Sequence, residues 1–242
     1  MLEFCKGRRP RILLGVTGSV AAVKGPELVL CMVRTLGADV KVLMTKGGEH
    51  FWNKSKDYNP SIWNEFQIEL KKSQSQINHN TTTIQLHFAT EEWSDWNKLG
   101  DSVLHIEIRD WADIAVLAPL SAHTLAKLAT GLCDDTLSCC LRAWDFGHGS
   151  RPGKPILLAP AMNTAMYIHP LTQTHIQTIQ SFWNNHNHHH HQQQNFIRVI
   201  EPIKKELACG EIGSGALATI DSIINQIQRI FILLSSTSST II

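Results

Sequence analysis

Short runs of almost wholly apolar residues, each followed by a helical pattern, constrain the fold of this chain more than any other feature. The first run, Arg11 to Val16, leads through a Thr17-Gly18-Ser19 turn into a helix, and Gly37 is placed to end that helix. Further strand-sized runs are Val40 to Met44, Ala112 to Leu120 and Pro155 to Ala159. Because continuous apolar strands that alternate with helices are typical of buried parallel sheets, the sequence predicts an α/β fold with helices on both faces of a parallel sheet.

The balance of charge excludes several classes of partner. The chain has 22 basic and 21 acidic residues, so it has no large excess of one sign with which to hold nucleic acid or an anionic lipid surface. The longest apolar runs are far shorter than the roughly 20 residues that a membrane-spanning helix needs. Six cysteines in a chain without a signal-peptide pattern favour free thiols. We therefore expect a cytoplasmic protein that binds neither nucleic acid nor membranes.

Two polar stretches interrupt the alternation of strands and helices. The first, from Asn53 to Thr83, is rich in Asn, Lys, Ser and Gln, and the second, from Asn184 to Asn195, is a His, Asn and Gln tract. The second lacks a spaced carboxylate or cysteine partner and has little apolar surface to bury, which favours a low-complexity loop over a metal site. The sequence thus predicts one domain over residues 1–242, with insertions near 53–83 and 184–195 and no bound metal.

Two polar turns follow predicted strands and are candidates for a ligand site. Gly18 and Ser19 stand between a strand and a helix, where free backbone N–H groups and the helix dipole favour a phosphate or another electron-rich group. Ser121 and Thr124 follow the run that ends at Leu120. Ligands of open parallel sheets bind beyond the carboxyl ends of strands, so the two turns define one crevice. A simple strand–helix connection explains the first turn equally well, and a helix cap explains the second.

Four further residues are candidates whose residue types alone do not decide their role. His105 lies in a helical stretch, where a packed or surface histidine is the commoner case. Cys209 lies in the Ala208 to Gly215 loop, whose three glycines suit a cover over a site but are also common without function. Asn163 and Met166 follow the last apolar strand, where they could simply end the strand and pack a helix.

In combination, these pieces resemble the flavin-dependent cysteine decarboxylase family, and most closely its coenzyme A branch. The similarity covers most of residues 11–51 and 91–221. The strings that carry it are Gly18-Ser19-Val20-Ala21-Ala22, Gly100-Asp101-Ser102-Val103-Leu104-His105-Ile106-Glu107, Ala118-Pro119-Leu120-Ser121-Ala122 with Thr124, Gly131-Leu132-Cys133-Asp134, Pro160-Ala161-Met162-Asn163 with Met166, and Ala208-Cys209-Gly210. That many ordered matches are hard to obtain by chance.

The resemblance implies a Rossmann-like flavoprotein fold with FMN as its cofactor. It also implies a homotrimer with active sites between neighbouring subunits, and decarboxylation of 4′-phosphopantothenoylcysteine to 4′-phosphopantetheine in coenzyme A biosynthesis. The family's flavin contacts correspond here to Gly18, Ser19, Val20, Thr45, Lys46, Gly47, Ser121, Ala122, His123, Thr124 and Ala161.

The family's catalytic and substrate-binding residues also have counterparts in this chain. The resemblance implies that His105 is the base for thiol oxidation and that Cys209 protonates an enethiol during reduction. The implied substrate-binding residues are Asn163, Met166, Arg109 and Ala208. Oxidation of the cysteinyl CH2–SH unit to a thioaldehyde provides an acceptor for the electrons that departing CO2 leaves behind, and this step requires the flavin.

Three positions depart from the family pattern. His123 stands where Asn is usual, and Tyr167 stands where Trp is common, although both retain a hydrogen-bonding group. Asp110 replaces a basic residue and so removes positive charge near the neighbouring subunit's site. If the substrate phosphate depends on that charge, its affinity is expected to fall.

Two other functions remain as alternatives. One is a relative that decarboxylates C-terminal peptide cysteines and stops at the enethiol, but Cys209 in its glycine loop argues against it. The other is a non-catalytic regulatory relative that binds a protein phosphatase. Such relatives usually carry long polar extensions and lack part of the catalytic set, whereas this chain has the family residue at all four positions of that set, His105, Asn163, Met166 and Cys209.

Overall fold

The computed structural model describes residues 8–75, 82–93, 96–148, 151–186, 197–206 and 212–238. Its strands are β1 (Arg11–Val16), β2 (Asp39–Met44), β3 (Ile84–His87), β4 (Ile114–Leu120), β5 (Gly147–His148), β6 (Arg151–Pro152), β7 (Ile156–Pro160), β8 (Ile197–Val199), β9 (Ile203–Glu206) and β10 (Ile212–Ala216). Its helices are α1 (Gly25–Leu36), preceded by a 3-10 turn (Val20–Lys24), α2 (Lys46–Trp52), α3 (Ser55–Tyr58), α4 (Pro60–Ser75), α5 (Leu104–Trp111), α6 (Ala122–Thr130), α7 (Thr136–Arg142), α8 (Thr164–Ile168), α9 (Pro170–His186) and α10 (Ile220–Ser238).

A six-stranded parallel sheet forms the centre of the fold. Its strands lie in the order β3-β2-β1-β4-β7-β8, and Leu14 of β1 is opposite Val42 on one side and Val116 on the other. This is the doubly wound order, in which the direction of strand addition reverses between β1 and β4. The prediction of a Rossmann-like parallel sheet is confirmed.

Helices cover both faces of the sheet. Helix α1 contacts both α4 and α10, whereas α5, α6, α7 and α9 form a second group. Because crossovers between parallel strands are right-handed, the reversal of strand order places the two groups on opposite faces. Every residue of β4 is buried, which is the expected result for a strand covered on both sides. No helix in the described ranges is long and apolar enough to cross a membrane.

Helix α1 shows how the local sequence determines an element. Its residues Val29, Met32 and Val33 recur at helical spacing and are buried in the core. Gly37 follows the last turn with φ at 60°, in the left-handed region that favours glycine, and its N–H donates to the carbonyls of Met32 and Val33. The predicted helix end at Gly37 is therefore confirmed.

The first polar stretch contributes to the core, which its composition does not suggest. It forms α3 and α4, and Phe66 of α4 is fully buried, 5.5 Å between ring centroids from Trp52 and 5.9 Å from Trp63. Trp63 and Phe66 are three residues apart on one helix face, so a few aromatic residues anchor an otherwise polar helix. The second stretch begins inside α9, which continues to His186, and residues 187–196 lie outside the described residues.

Candidate functional site

A cleft opens at the carboxyl ends of β1, β4 and β7, where the strand order reverses. Its volume is about 530 Å³, within the range of small-molecule sites. The predicted flavin and substrate residues that line it are Gly18, Ser19, Val20, Ser121, Ala122, His123, Ala161, Asn163 and Met166. The predicted flavin residues outside its lining are Thr45, Lys46, Gly47 and Thr124.

Thr17 joins two of the turns at this cleft. Its buried hydroxyl donates to the carbonyl oxygen of Pro119 at 2.8 Å and accepts from the N–H of Ser121 at 2.7 Å. The N–H of Thr17 also donates to the Pro119 carbonyl, at 3.2 Å. These bonds fix the turn after β1 beside the turn after β4. The two polar turns predicted to define one crevice are therefore adjacent.

Side chains that line the cleft also begin the surrounding helices. Ser121 accepts from the N–H of Thr124 at 3.3 Å, and Asn163 accepts from the N–H of Met166 at 2.8 Å. Ser19 caps the 3-10 turn in a similar way. The interpretation of Ser121 as a helix cap is thus correct, and the same residue lines the cleft. Each capping bond holds its side chain at a defined place on the cleft wall.

The turn that contains Gly47 lies against the Gly18 turn. A Cβ atom on Gly47 would approach the Gly18 Cα to 2.9 Å, so the two turns pack backbone against backbone. Gly48 is more constrained, because a Cβ atom there would lie 2.1 Å from the carbonyl oxygen of Val16. The start of α2 can approach the end of β1 and the turn after it this closely only where side chains are absent.

His105 lies outside the cleft lining, in the first turn of α5. Its Nδ1 hydrogen-bonds to Oε1 of Glu92, and its ring meets the ring of Trp93 edge-on at 6.5 Å between centroids. Glu92 is buried, whereas the His105 side chain is 19% exposed and the Trp93 side chain is largely exposed. The predicted base is therefore held by the Glu92 carboxylate, and within a single chain it does not face the cleft.

Arg109 is also outside this cleft and lines a second cavity, of about 690 Å³, with Trp144 and Phe146. The Asp110 carboxylate accepts from Arg109 Nε at 2.9 Å and from its Nη2 at 2.7 Å. Lys154 Nζ donates to the main-chain carbonyl of Arg109 at 2.6 Å. The acidic residue noted as a departure from the family pattern is thus paired with the guanidinium expected to bind substrate.

A hairpin of β9 and β10 forms one wall of the cleft. Gly215 lines the cleft, and its carbonyl accepts from the N–H of Met162 at 2.9 Å. The predicted acid Cys209 and the predicted substrate residue Ala208 lie between these two strands, outside the described residues. The strand that follows this loop, β10, reaches the cleft at Gly215 and Ala216.

Tyr167 supports the wall that carries Met166. Its hydroxyl donates to the carboxylate of Glu201 at 2.7 Å. Burial, and then the Glu201 carboxylate, raise the pKa of Tyr167 to about 12. The phenol therefore stays neutral at physiological pH and continues to donate this bond.

Burial determines the protonation state of two described cysteines. Burial, and then the charge of Glu92, raise the pKa of Cys139 to about 11, and burial raises the pKa of Cys140 to about 12. Both thiols stay protonated at neutral pH and neither is a nucleophile there. Within the described ranges, no group of three or more His, Cys, Asp or Glu side chains is arranged to hold a metal ion.

Several residues of the site were not found from the sequence. Thr17 and Glu92 have no local pattern that sets them apart, and only the folded chain shows their partners. The unpredicted lining residues are Ala21, Val23, Lys24, Phe51, Tyr58, Met162, Gly215, Ala216 and Leu217. Tyr58 lies in the stretch interpreted as a polar insertion, so no sequence pattern places it at a ligand site.

Comparison with known proteins gives consistent matches over nearly the whole chain. The flavoprotein family model matches residues 5–232. Phosphopantothenoylcysteine decarboxylase of Arabidopsis thaliana is 41% identical over 224 residues, which cover 93% of this chain and 86% of the relative. A solved PPC decarboxylase cysteine-to-serine mutant complexed with pantothenoylaminoethenethiol is 38% identical, with a TM-score of 0.69 over 93% of this chain and 99% of that chain. The FMN binding protein AtHal3 is 38% identical, with a TM-score of 0.66 over 92% of this chain and 97% of that chain.

Proposed function

This chain belongs to the flavoprotein family and, within it, to the phosphopantothenoylcysteine decarboxylases, and we propose from that premise that it decarboxylates 4′-phosphopantothenoylcysteine to 4′-phosphopantetheine with FMN. The family predicted from the sequence motifs is confirmed. The observation that carries the proposal is the cleft at the strand reversal, which is lined by nine residues expected to contact flavin or substrate.

The cleft has the chemistry that FMN needs. Val20, Ala122 and Ala161 supply small apolar wall surface for a flat ring, and the hydroxyls of Ser19 and Ser121 supply polar contacts. Further polar groups on the wall are the side chains of Lys24, His123 and Asn163. These residues would hold the cofactor, with the apolar surface against the ring and the hydroxyl and cationic groups for the ribityl phosphate. When bound, FMN accepts two electrons from the cysteinyl CH2–SH unit and returns them after CO2 has left.

The residues of the chain then handle protons and orientation. His105 takes the thiol proton as the substrate is oxidised to a thioaldehyde, whose C=S accepts the electrons released with CO2. Asn163 orients the carboxylate and amide end of the substrate beside Met166. Cys209 protonates the enethiol in the final reduction. The solved relative with pantothenoylaminoethenethiol is a cysteine-to-serine mutant, which supports a cysteine that acts after decarboxylation.

A second copy of the chain completes the site in this proposal. His105 and Arg109 are outside the cleft that contains Asn163. The exposed Trp93 beside His105 and the exposed Met166 on the cleft wall are apolar surfaces suited to contact between subunits. We assign a homotrimer in which α5 of one subunit meets the cleft of the next. We also propose a cytoplasmic location, where the Cys209 thiol would be kept reduced.

The direct test is to incubate the purified protein with 4′-phosphopantothenoylcysteine, measure CO2 and identify the thiol product by mass. The proposal predicts a yellow protein and 4′-phosphopantetheine as the product. A product lighter by two hydrogens would instead indicate the alternative that stops at the enethiol. Well-folded colourless protein that cannot take up added FMN would overturn the cofactor assignment.

The Cys209→Ser variant separates the two halves of the reaction. It should still oxidise and decarboxylate the substrate, because the thiol is needed only afterwards. A serine hydroxyl is a far weaker acid, so protonation should slow by orders of magnitude, and reduced flavin and the enethiol should accumulate. Mass spectrometry and flavin absorbance measure both. Formation of 4′-phosphopantetheine at the wild-type rate would contradict the assignment of Cys209 as the acid.

A further inference from the structure

We propose that Glu92 is a positioning residue for His105, and that its buried carboxylate keeps the imidazole hydrogen on Nδ1 and the lone pair on Nε2. The inference rests on the proposed function, in which His105 is the base. It adds a carboxylate–histidine pair to that function, with separate tasks for the two side chains.

The hydrogen bond between the two side chains determines the tautomer. Oε1 of Glu92 is bonded to Nδ1 of His105. An ionised carboxylate has no hydrogen to donate, so the hydrogen of this bond is on the ring nitrogen. Among the described residues, none hydrogen-bonds to Nε2, and the ring is partly exposed. The nitrogen that carries the lone pair is therefore open to a substrate proton.

Burial makes Glu92 depend on this histidine. Glu92 is 7% exposed, and its Oε2 has no hydrogen-bond partner among the described residues. When one oxygen of a buried carboxylate has neither water nor a hydrogen-bond partner, a cation at the other oxygen stabilises the negative charge. An imidazolium formed at His105 is such a cation. The same carboxylate therefore orients the neutral ring and stabilises the protonated one.

The proton balance of the oxidation step follows from this arrangement. The S–H proton of the substrate passes to Nε2, while the adjacent carbon loses a hydride, one proton with two electrons, for which the cofactor of the proposed function would be the acceptor. The hydrogen on Nδ1 stays in its bond to Glu92, and the carboxylate takes up no proton. The step ends with a thioaldehyde, an imidazolium and an unchanged carboxylate.

The test measures flavin bleaching by stopped flow in FMN-loaded protein mixed with 4′-phosphopantothenoylcysteine. Glu92→Gln removes the charge and allows the side-chain amide to donate to Nδ1, which favours the wrong tautomer. We expect its bleaching rate at saturating substrate to fall on the order of 10²-fold, with FMN content and half-saturating substrate concentration unchanged. Glu92→Asp keeps the charge and should recover most of the loss. Glu91→Gln changes the neighbouring carboxylate and should bleach at the wild-type rate.

A double variant separates positioning from general structural support. In a His105→Asn background, Glu92→Gln should cause no further loss, because both changes remove the same proton acceptor. An additional loss there, or wild-type bleaching by Glu92→Gln, would overturn the inference and leave the proposed function standing. Failure of the wild-type protein to bleach with substrate would overturn the proposed function instead. If Glu92→Gln does not fold, Glu92→Ala decides, because it also removes the charge: slower bleaching with FMN retained supports the inference, and wild-type bleaching overturns it.

Discussion

The cleft residues lie at the ends of three buried strands, whereas His105 lies on a helix with a single buried residue, Ile108. In the cleft, the positions of the residues are set by the main chain and by the capping side chains of Ser19, Ser121 and Asn163. On α5, position is set by side-chain contacts with Glu92 and Trp93. In the proposed assembly, the first region is formed by one chain, and the second reaches it from a neighbouring chain. Cofactor binding and proton transfer should therefore respond to different substitutions.

The largest expected effect comes from His105→Asn. This change leaves the cleft intact, so FMN should remain bound, while flavin bleaching and CO2 release fall by about 10²- to 10⁴-fold. Absorbance spectra and single-turnover kinetics measure the two properties. Loss of FMN together with activity would show that the two regions are not separate.

The two inactive variants His105→Asn and Asn163→Ala test whether both regions meet across a subunit boundary. If they do, coexpression of the two variants should restore activity, because some subunit boundaries then combine an intact His105 with an intact Asn163. With random assembly, about one quarter of the boundaries have both, so activity should reach about one quarter of the wild-type value. Each variant expressed alone is the control. Absence of restored activity in mixed oligomers would place both residues in the same chain's site.

The next effect is on the cleft framework. Gly48→Ala forces a Cβ atom against the Val16 carbonyl, so we expect a loss of about 3 kcal/mol or more in unfolding free energy, and loss of FMN. Gly37→Ala is the matched control, because a Cβ atom at Gly37 meets nothing within 4 Å. Only the left-handed backbone conformation opposes it, at about 1–2 kcal/mol. Denaturant unfolding and flavin content should separate the pair, and equal effects would refute the close approach of the first turn of α2 to the end of β1.

A smaller effect is expected from Thr17→Val, which keeps the side-chain shape but removes the hydroxyl. The Ser121 N–H and the Pro119 carbonyl each lose a buried partner, which costs about 1–3 kcal/mol. FMN affinity should fall, while subunit assembly stays unchanged. Titration of the apoprotein with FMN measures the first and sedimentation the second. Unchanged FMN affinity would mean that the two turns hold their positions without Thr17.

The smallest effect is expected from deleting residues 187–194, which leaves α9 intact to His186. The deleted segment has no apolar side chain to bury, and loop length changes closure entropy only slowly. Flavin content and turnover should therefore match the full chain. A large loss of either, or metal-dependent turnover in the full chain, would contradict the interpretation of this tract as a loop.

The sequence was sufficient where function depends on local pattern. The apolar strands, the end of α1 at Gly37 and the two turns at Gly18 and Ser121 are local features, and the fold placed them as predicted. Glu92 is different, because its partner is 13 residues away and its role depends on burial. Phe66 shows a further limit, since average polarity over a stretch hides one residue that anchors a helix.

The hydrogen bonds that Thr17 makes to Pro119 and Ser121 have a consequence for redesign of the cleft. The hydrogen bonds of Thr17 set the spacing of the turns after β1 and β4. The lining residues Val20 and Ala122 are therefore not needed to hold those turns in place. Val20 is 48% exposed, and enlarging or polarising its side chain would change the solvent access of whatever occupies the cleft while leaving the shape of the sheet end intact. Substitutions at these lining positions could therefore tune the reactivity of the bound cofactor without changing the backbone framework of the cleft.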